Sequence, residues 1–539
     1  MSINQSDNWI YGYKQWLTFS GGSAEVVYSG FNNTIVSLNS SRGAASVSDT
    51  SGNLLFYTDG VKIWNALGAL ITTITTGDTT SFQSATIVPS PYNSNYYYVF
   101  SVLGWPTSTL SFSGNQLFYT MIDMTTSSGS LLQQPIPIGT TSFSGGCQCP
   151  YSGFGYSEVL TTARHSNGSD FWVIVRKANT TQFEVFKSDA YFYMNTTPVV
   201  SNVNTVFGGD DRYGTLKVSP QNNKIAFAVG SAKPTYSSDD LVSLFDFNSG
   251  TGEILNQQLI ISGGTEYTIY YTGTTSQKLS GQYSYGCEFS PDGNLLYVTL
   301  GNSTSNSNIV QLNLSNISEH SPIVTTIPKS FARLVVNPDL LVTGDTSSNT
   351  LSFNRGEKYT IQAANNGKLY FIGNFGFPVS KSLLYEIQSP NTAIDDSVVI
   401  TVSEVYRTKN NLGPIQGLPN LSVLALYPSV ILPTPTPTIT PTITRTATPT
   451  VTPTLTPTPY MTPQPLACVT YEISIDTVVG TAPYDIYLCD ETFAGCIYLT
   501  TTSSLPYKSI IPPPYDTIKY LGVKIIDSDG CSIYKKFNL

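Results

Sequence analysis

Bulky apolar and aromatic residues recur along this chain in short runs, separated by clusters of Asp, Asn, Gly, Ser and Pro. That alternation predicts β-hairpins, because Asp, Asn and Gly tolerate the positive φ that a tight reversal needs. The clearest instance is SDTSGNLLFYTDGVKIWNA at 48–66: a turn, a strand, a reversal at Asp59 and Gly60, and a second strand carrying Trp64. The same phrase returns in altered form as GTLKVSPQNNKIAFAVG at 214–230, CEFSPDGNLLYVTLGN at 287–302 and AANNGKLYFIGN at 363–374. FWVIVRK from Phe171, TQFEVFKS from Thr181, LVSLFDFNSGTGEI from Leu241 and NIVQLNLS from Asn308 predict further strands of the same kind.

Four short strands per unit, repeating at roughly 60 residues, predict a radial β-propeller of about seven blades. Residues 1–430 would form it. Each blade buries its faces against its neighbours, and circular closure leaves only short outer edges. A strand from around Trp9 to Phe19 is expected to act as the latch, completing the blade built near Val398 to Val423. Residues 431–466 then change character, with PTPTPTITPTITRTATPTVTPTLTPTPYMTPQP at their centre. Alternating Pro fixes φ, removes backbone donors and favours polyproline II, so this segment is a linker or stalk, not a core. At about 3.1 Å per residue it would reach roughly 100 Å when extended. Residues 467–539 resume short β-runs, YEISI, YDIYL, CIYLT and KYLGVKII, and predict a small C-terminal immunoglobulin-like β-sandwich. The expected fold class is all-β throughout.

Composition supports this picture. Of 539 residues, 40% are hydrophobic and 12% aromatic, including 35 Tyr and 25 Phe, while only 11% are charged. Strand formers and turn formers dominate, and helix should be scarce. A net charge of -9 without any Lys/Arg cluster argues against nucleic acid as a partner. The amino terminus, MSINQSDNWIYGYKQW, has no basic region followed by an apolar one, so no signal peptide is expected. No apolar run approaches a membrane span, so neither a transmembrane segment nor membrane insertion is expected.

The candidate chemistry is sparse. Two histidines, His165 and His320, leave little room for His-based catalysis, and only His165, in ARHSNGSDFW, merits testing as a general base. The bland reading of that phrase is a turn whose polar side chains tie the blade together. Acidic pairs occur at Asp210 and Asp211, Asp239 and Asp240, and Asp395 and Asp396. Neighbours on a strand point to opposite faces, so none of these pairs makes a calcium or glycosidase site alone. Cys147 and Cys149 form a CxC without clustered partner ligands, and Cys468, Cys489, Cys496 and Cys531 could form two disulfides in an oxidising environment. The most promising contact residues are Tyr151, Phe154 and Tyr156, which could stack on sugar rings or anchor a protein partner from a Gly-rich loop, or pack in a blade core. No catalytic residue, cofactor or metal site is assigned.

The succession of the hairpin at 48–66, QSATIVPSPYNSNYYYVFSV from Gln83, RHSNGSDFWVIVRK from Arg164, GTLKVSP, LFDFNSGTGEI and CEFSPDGNLLYV resembles the WD-like β-propeller domains of large surface and gliding-associated proteins of Bacteroidetes-type bacteria. The resemblance covers roughly residues 15 to 430; that family is known mainly as an interaction and adhesion scaffold, and function transfers poorly from it because a propeller as such hosts many activities. The last module is similar to the short adhesin repeats of the same proteins, through Gly480 to Tyr484 and Asp527 to Cys531. The chain departs from that pattern in that neither a secretion signal nor a sorting domain is expected from its sequence. Its Thr-, Ser- and Asn-rich strands, Pro/Thr stalk and small terminal module are similar in style to phage virion appendage proteins. The resulting expectation is a non-enzymatic virion fibre or decoration protein that attaches to other virion or surface proteins, or to a host glycan or protein. A bacterial cell-surface adhesin and a propeller enzyme acting on glycans, with His165, Asp210 and Asp211 as its candidates, are the alternatives.

Overall fold

The computed structural model describes residues 2–426 apart from connecting stretches, the longest being 103–116, 140–155, 204–213, 230–239, 336–359 and 408–417, and beyond them the strands between 472 and 538. The chain divides into two compact units, Met1–Thr434 and Pro435–Leu539.

The first unit is a seven-bladed β-propeller. Its first sheet is three-stranded: β1 (Asn8–Tyr11), β2 (Gln15–Thr18) and β3 (Glu25–Tyr28). Four strands, β4 (Ala45–Ser48), β5 (Leu54–Thr58), β6 (Lys62–Asn65) and β7 (Leu70–Thr73), make the second blade. The third is β8 (Ala85–Pro89), β9 (Tyr96–Val102), β10 (Leu117–Asp123) and β11 (Ser130–Ile138). The fourth is β12 (Tyr156–Arg164), β13 (Phe171–Lys177), β14 (Gln182–Lys187) and β15 (Val199–Asn202). The fifth is β16 (Gly214–Val218), β17 (Lys224–Val229), β18 (Asp240–Phe247) and β19 (Ile254–Ser262). A hairpin, β20 (Glu266–Tyr270) and β21 (Ser276–Ser280), then joins the outer side of the sixth blade, β22 (Cys287–Phe289), β23 (Leu295–Leu300), β24 (Asn308–Asn313) and β25 (Ala332–Leu334). β26 (Ile361–Ala363), β27 (Leu369–Phe375), β28 (Lys381–Ile387) and β29 (Val402–Arg407) complete the seventh.

The predicted hairpins stand where their sequences placed them: the run at 48–66 spans β5 and β6, and those beginning at Gly214 and Cys287 are the first two strands of their blades. The repeat length is less regular than roughly 60 residues, since the blade-to-blade connections differ in length. First strands start only 40 residues apart between Ala45 and Ala85 but 74 apart between Cys287 and Ile361. The strands β4, β8, β12, β16, β22 and β26 are successive neighbours around the axis and form the inner wall. The core lies between blades: Ala45, Phe56, Ile87 and Val99 join the second and third, and Ala228, Val242, Phe289 and Val298 join the fifth and sixth.

Closure differs from the expected latch. β29 fills the fourth place of the last blade, so that blade needs no N-terminal strand. β1 runs antiparallel to β4, with Asn8 bonded to Ser48 at 2.9 Å and the Ile10 amide to Ser46 at 3.3 Å, and so has the direction of a second strand. Residues 418–422 run parallel to the inner strands, with Pro419 bridging Ala44 and Leu421 bridging Ile87. The far end of the propeller chain therefore returns to the axis, beside the inner strands of the second and third blades. Trp9, Phe19, Tyr370, Leu384 and Leu421 share one core across this seam, with the Trp9 ring 4.7 Å from Phe19 and 5.6 Å from Tyr370. Apolar packing of large aromatic faces, not added strand pairing to the last blade, holds the two ends together.

In the second unit β30 (Glu472–Ile475) pairs with β33 (Tyr507–Ile510). β31 (Tyr484–Cys489), β32 (Cys496–Thr502), β34 (Tyr520–Ile526) and β35 (Ser532–Asn538) form a sheet in the order β32, β31, β34, β35. Cys489 stands opposite Cys496 in the β31–β32 ladder, and Cys468 and Cys531 lie outside the described residues. Among the described residues the only α-helix is a single turn, Val423–Leu426, and no helix is long and apolar enough to cross a membrane.

Candidate functional site

A propeller axis is the natural place to look for a site, because inner strands from every blade converge there. Here it is occupied by the chain itself. Asn420, 5% exposed, is hydrogen-bonded through all its polar atoms. Its amide donates to the Ala44 carbonyl at 2.7 Å, and Nδ2 donates to the carbonyls of Ala85 at 3.2 Å and Leu160 at 3.0 Å. Its Oδ1 accepts from Gln83 Nε2 at 3.2 Å, and its carbonyl accepts from Thr86 Oγ1 at 3.3 Å. Gln83 continues across the axis to Leu216, donating to its carbonyl at 3.1 Å and accepting from its amide at 2.9 Å. Thr162 meets Ser422 at 2.8 Å, and the Leu418 amide donates to Thr360 at 2.9 Å. Two amide side chains thus satisfy inner-strand backbone groups of three blades, the third, fourth and fifth, that would otherwise be buried and unpaired.

The charged groups near the axis are equally committed. Lys217 on β16 pairs with Glu288 on β22 at 2.9 Å and donates to Gln362 on β26 at 2.7 Å. Glu288 also accepts from the amides of Phe289 at 3.1 Å and Ala363 at 3.2 Å. Tyr285 donates to Glu158 on β12. Cys287 is fully buried, and desolvation, with the Glu288 charge, pushes its thiol well above the usual range. A thiol held neutral and carboxylates already saturated with donors are poor nucleophiles and bases.

In an up-and-down blade the first-to-second and third-to-fourth connections fall at one end of the ring, the turn end. The others fall at the opposite end. At the turn end the first-to-second connections of the second to seventh blades, 49–53, 90–95, 165–170, 219–223, 290–294 and 364–368, are five or six residues long. Polar groups in and around these turns bond across every blade junction. Asn4 and Asn8 donate to the Thr50 and Gly52 carbonyls at 3.1 and 2.7 Å, and Asn65 donates to Ser128 at 3.2 Å. Tyr92 donates to Asp170, and Asn222 bonds both the amide and the carbonyl of Arg164 at 2.9 and 2.5 Å. Gln221 donates to the Asp292 carbonyl, the Asp292 amide donates to Asn391 at 3.0 Å, and Asn365 donates to Asp7. The circuit runs through all seven junctions. Gly52, at φ +91°, permits it: a Cβ there would meet the Asp7 carboxylate.

His165 belongs to this girdle. Its Nδ1 accepts from the Asn167 amide at 3.0 Å, and its ring lies 5.1 Å from Trp172, whose Nε1 donates to Ser249 of the next blade at 2.8 Å. Burial and the Lys187 charge hold its pKa below the ordinary histidine value. The blade-tying reading of ARHSNGSDFW describes this geometry. Tyr156, 5% exposed, packs in the core of the third and fourth blades and donates to Glu184. It is therefore not an exposed contact residue: opening β12, it turns its ring into the blade interface. Tyr151, Phe154, Cys147, Cys149, Asp210, Asp211 and Asp239 lie outside the described residues; Asp240 opens β18 and Asp395 is exposed. Among the described residues no group of three or more His, Cys, Asp or Glu could hold a metal ion. The Gln83–Asn420 hub had no signal in the sequence beyond two amides in otherwise ordinary connections.

The opposite end receives the long connections. Residues 103–116, 230–239 and 301–307 join second strands to third, and 139–155, 203–213 and 335–360 join blade to blade. They are rich in Ser, Thr, Asn and Gly. The chain leaves the axis at the turn end, because residues 418–422 run with the inner strands and Val423–Leu426 then packs against the 3-10 turn Ile3–Ser6.

No family model and no curated protein matches this chain. Among solved structures it is similar to a Bacteroides uniformis protein proposed to be a 6-phosphogluconolactonase, at 12% identity and a TM-score of 0.38, covering 74% of this chain and 100% of that one. It is also similar to a polysaccharide lyase of family PL25, an ulvan lyase, at 12% identity and a TM-score of 0.36, covering 76% and 84%. A third is the β-propeller domain of Cps50 (Swd1) from Myceliophteria thermophila, at 9% identity and a TM-score of 0.33, covering 69% and 91%. Likenesses this distant carry no argument about activity. The seven-bladed propeller rests on the strand order itself.

Proposed function

We propose that this chain is a non-catalytic recognition protein of the virion-appendage kind, binding its partner at the end of the propeller that receives the long connections. The observation that supports this reading is the axis, filled by Gln83 and Asn420 with their polar groups committed to the inner strands. The turn end is likewise spent on blade junctions. The end opposite the chain's exit then remains for binding, which suits a head presented away from a Pro/Thr stalk. The six strands beyond the stalk are read as an immunoglobulin-like sandwich, a second recognition module on the same tether.

The test combines mass spectrometry of particles purified from the source with binding of the intact chain to a glycan array and to host cells. Presence in particles together with binding supports the reading. Binding with absence from particles would instead favour a cell-surface adhesin. Release of cleaved glycan would replace recognition by catalysis, and substitution of Asp210 and Asp211 would then identify the acids responsible.

A further inference from the structure

The inner wall brings an amine, a carboxylate and a primary amide into contact, one from each of three successive blades. Lys217 on β16, Glu288 on β22 and Gln362 on β26 are 8%, 4% and 2% exposed. Lys217 Nζ lies 2.9 Å from Glu288 Oε2 and donates to Gln362 Oε1 at 2.7 Å. Gln362 Nε2 donates to the Ala363 carbonyl at 3.0 Å, which leaves its carbonyl turned toward the amine. Glu288 is held in place by the amides of Phe289 and Ala363 at 3.1 and 3.2 Å. A buried ion pair stabilises a fold little more than apolar residues of the same size would. Stability alone is thus a weak reason to place this pair in the inner wall.

We propose that Lys217 and Gln362 condense within the folded chain into an isopeptide bond, with Glu288 moving the protons. Glu288 takes one proton from the Lys217 ammonium, and the neutral amine attacks Gln362 Cδ, opening the carbonyl onto Oε1. Glu288 then hands its proton to Nε2 as the C–N bond breaks, and the electron pair leaves with ammonia. The carbonyl re-forms, and the new amide nitrogen sheds its surplus proton through Glu288 to the departing ammonia. One ammonium ion is lost, the carboxylate is restored, and no outside reactant is consumed. Saturation with donors makes Glu288 a poor base toward an incoming substrate, but the proton it takes here already lies on a group bonded to it. An amine and an amide free in water scarcely react; fixing them in contact can supply effective concentrations of about 10⁵ to 10⁸ M. The product would tie the fifth blade to the seventh across the sixth. The ion pair is the state of the freshly folded chain, and the bond follows from it.

Peptide mapping of the full chain tests this, whatever the propeller recognises. Folded protein kept for a week at the growth temperature of its source should lose the mass of one ammonia. Trypsin should then fail to cut after Lys217 and should release residues 213–224 joined to residues 359–368. The same chain kept unfolded in urea should yield the two peptides apart. Lys217→Arg retains a cation for Glu288 but no attacking amine, and should show neither the link nor the mass loss at that site. Glu288→Gln can still accept the two backbone amides but cannot take a proton, and should slow the 217–362 link at least about a hundredfold. Lys217 fully cleavable by trypsin after incubation of the folded wild-type chain would overturn the proposal. A link that forms as fast in urea would overturn the part given to the fold, and one that forms at the parent rate in Glu288→Gln would overturn the part given to Glu288.

Discussion

The two ends of the propeller ring are made of different material. At the turn end, connections of five or six residues place Asn, Asp, Gln and Tyr so that each bonds the neighbouring blade. At the other end, connections such as 103–116 and 336–359 are several times longer and are rich in small polar residues. A ring needs its blades fixed relative to one another, and one stapled end is enough to do that. The other end is then free to vary without loss of the fold, which is the usual division between scaffold and function.

The comparison can be broken most forcefully at the axis. Asn420→Ala would leave the Ala85 and Leu160 carbonyls and the Gln83 amide buried without their partner. At about 1–3 kcal/mol for each orphaned group, and less than additive, the expected loss is about 4 kcal/mol, read as a lower urea midpoint of the propeller transition. A loss under about 1 kcal/mol would mean that the inner strands do not depend on the hub. Lys217→Met should cost about 3 kcal/mol, because Glu288 would remain buried and unpaired. The double variant Lys217→Met, Glu288→Leu should recover most of that loss, since replacing a buried pair by apolar groups is often near neutral.

The girdle is the next level down. Asn222→Ala removes two bonds to Arg164 at a partly buried junction and should cost about 1–2 kcal/mol. Deletion of any single staple should be tolerated, because six other junctions remain bonded.

Much of this end was legible in advance, and for a physical reason. The phrases SDTSGN, SPQNN and SPDGN are short-range signals: turn residues and strand residues declare themselves within a few positions. The blade count and the blade-tying role of His165 followed from the same local chemistry. What sequence could not carry was long-range. Asn420 bonds Ala85, more than three hundred residues away, and nothing local distinguishes it from a solvated loop amide. The latch failed for the same reason: the expectation of an N-terminal strand in the last blade was sound in kind, but β29 already held that place. Tyr156 shows the limit from the other side. An aromatic beside a Gly-rich stretch reads equally well as a contact or as core, and only the facing blade, which buries it to 5% exposure, decides.

Two acids of the girdle should respond to pH in opposite senses. Burial, together with the Asp49 charge and against the Asn365 hydrogen bond, raises the Asp7 pKa above 3.8. A raised folded-state pKa gives stability that is full below the unfolded value and lost as pH rises through the folded one, so Asp7 favours the fold in acid. For Asp170, burial is outweighed by hydrogen bonds from Tyr92, Lys187 and Asn167, and its pKa falls below 3.8. Its contribution is present above the unfolded value and lost as pH drops through the folded one. Thermal midpoints measured from pH 3 to 7 should therefore fall less steeply toward high pH in Asp7→Asn, and less steeply toward low pH in Asp170→Asn, than in the parent. Equal slopes in both variants would show that neither carboxylate titrates with folding.

The smallest effect on stability is expected at the long-connection end, and it is the one that sharpens the contrast. Replacing residues 230–239 by a Gly/Ser stretch of equal length removes no described cross-blade bond and leaves the ends of β17 and β18 where they are. Surface changes of this sort usually fall within about 0.5 kcal/mol, and the loop-closure term is unchanged at constant length. The midpoint of unfolding should stay put, while binding to whichever cell or glycan the intact chain recognises should weaken by an order of magnitude or more. Asn222→Ala should give the reverse pattern, a lower midpoint with binding retained. If the Gly/Ser replacement instead lowered the midpoint by more than about 2 kcal/mol, the long connections would be structural, and the division of labour between the two ends would not hold.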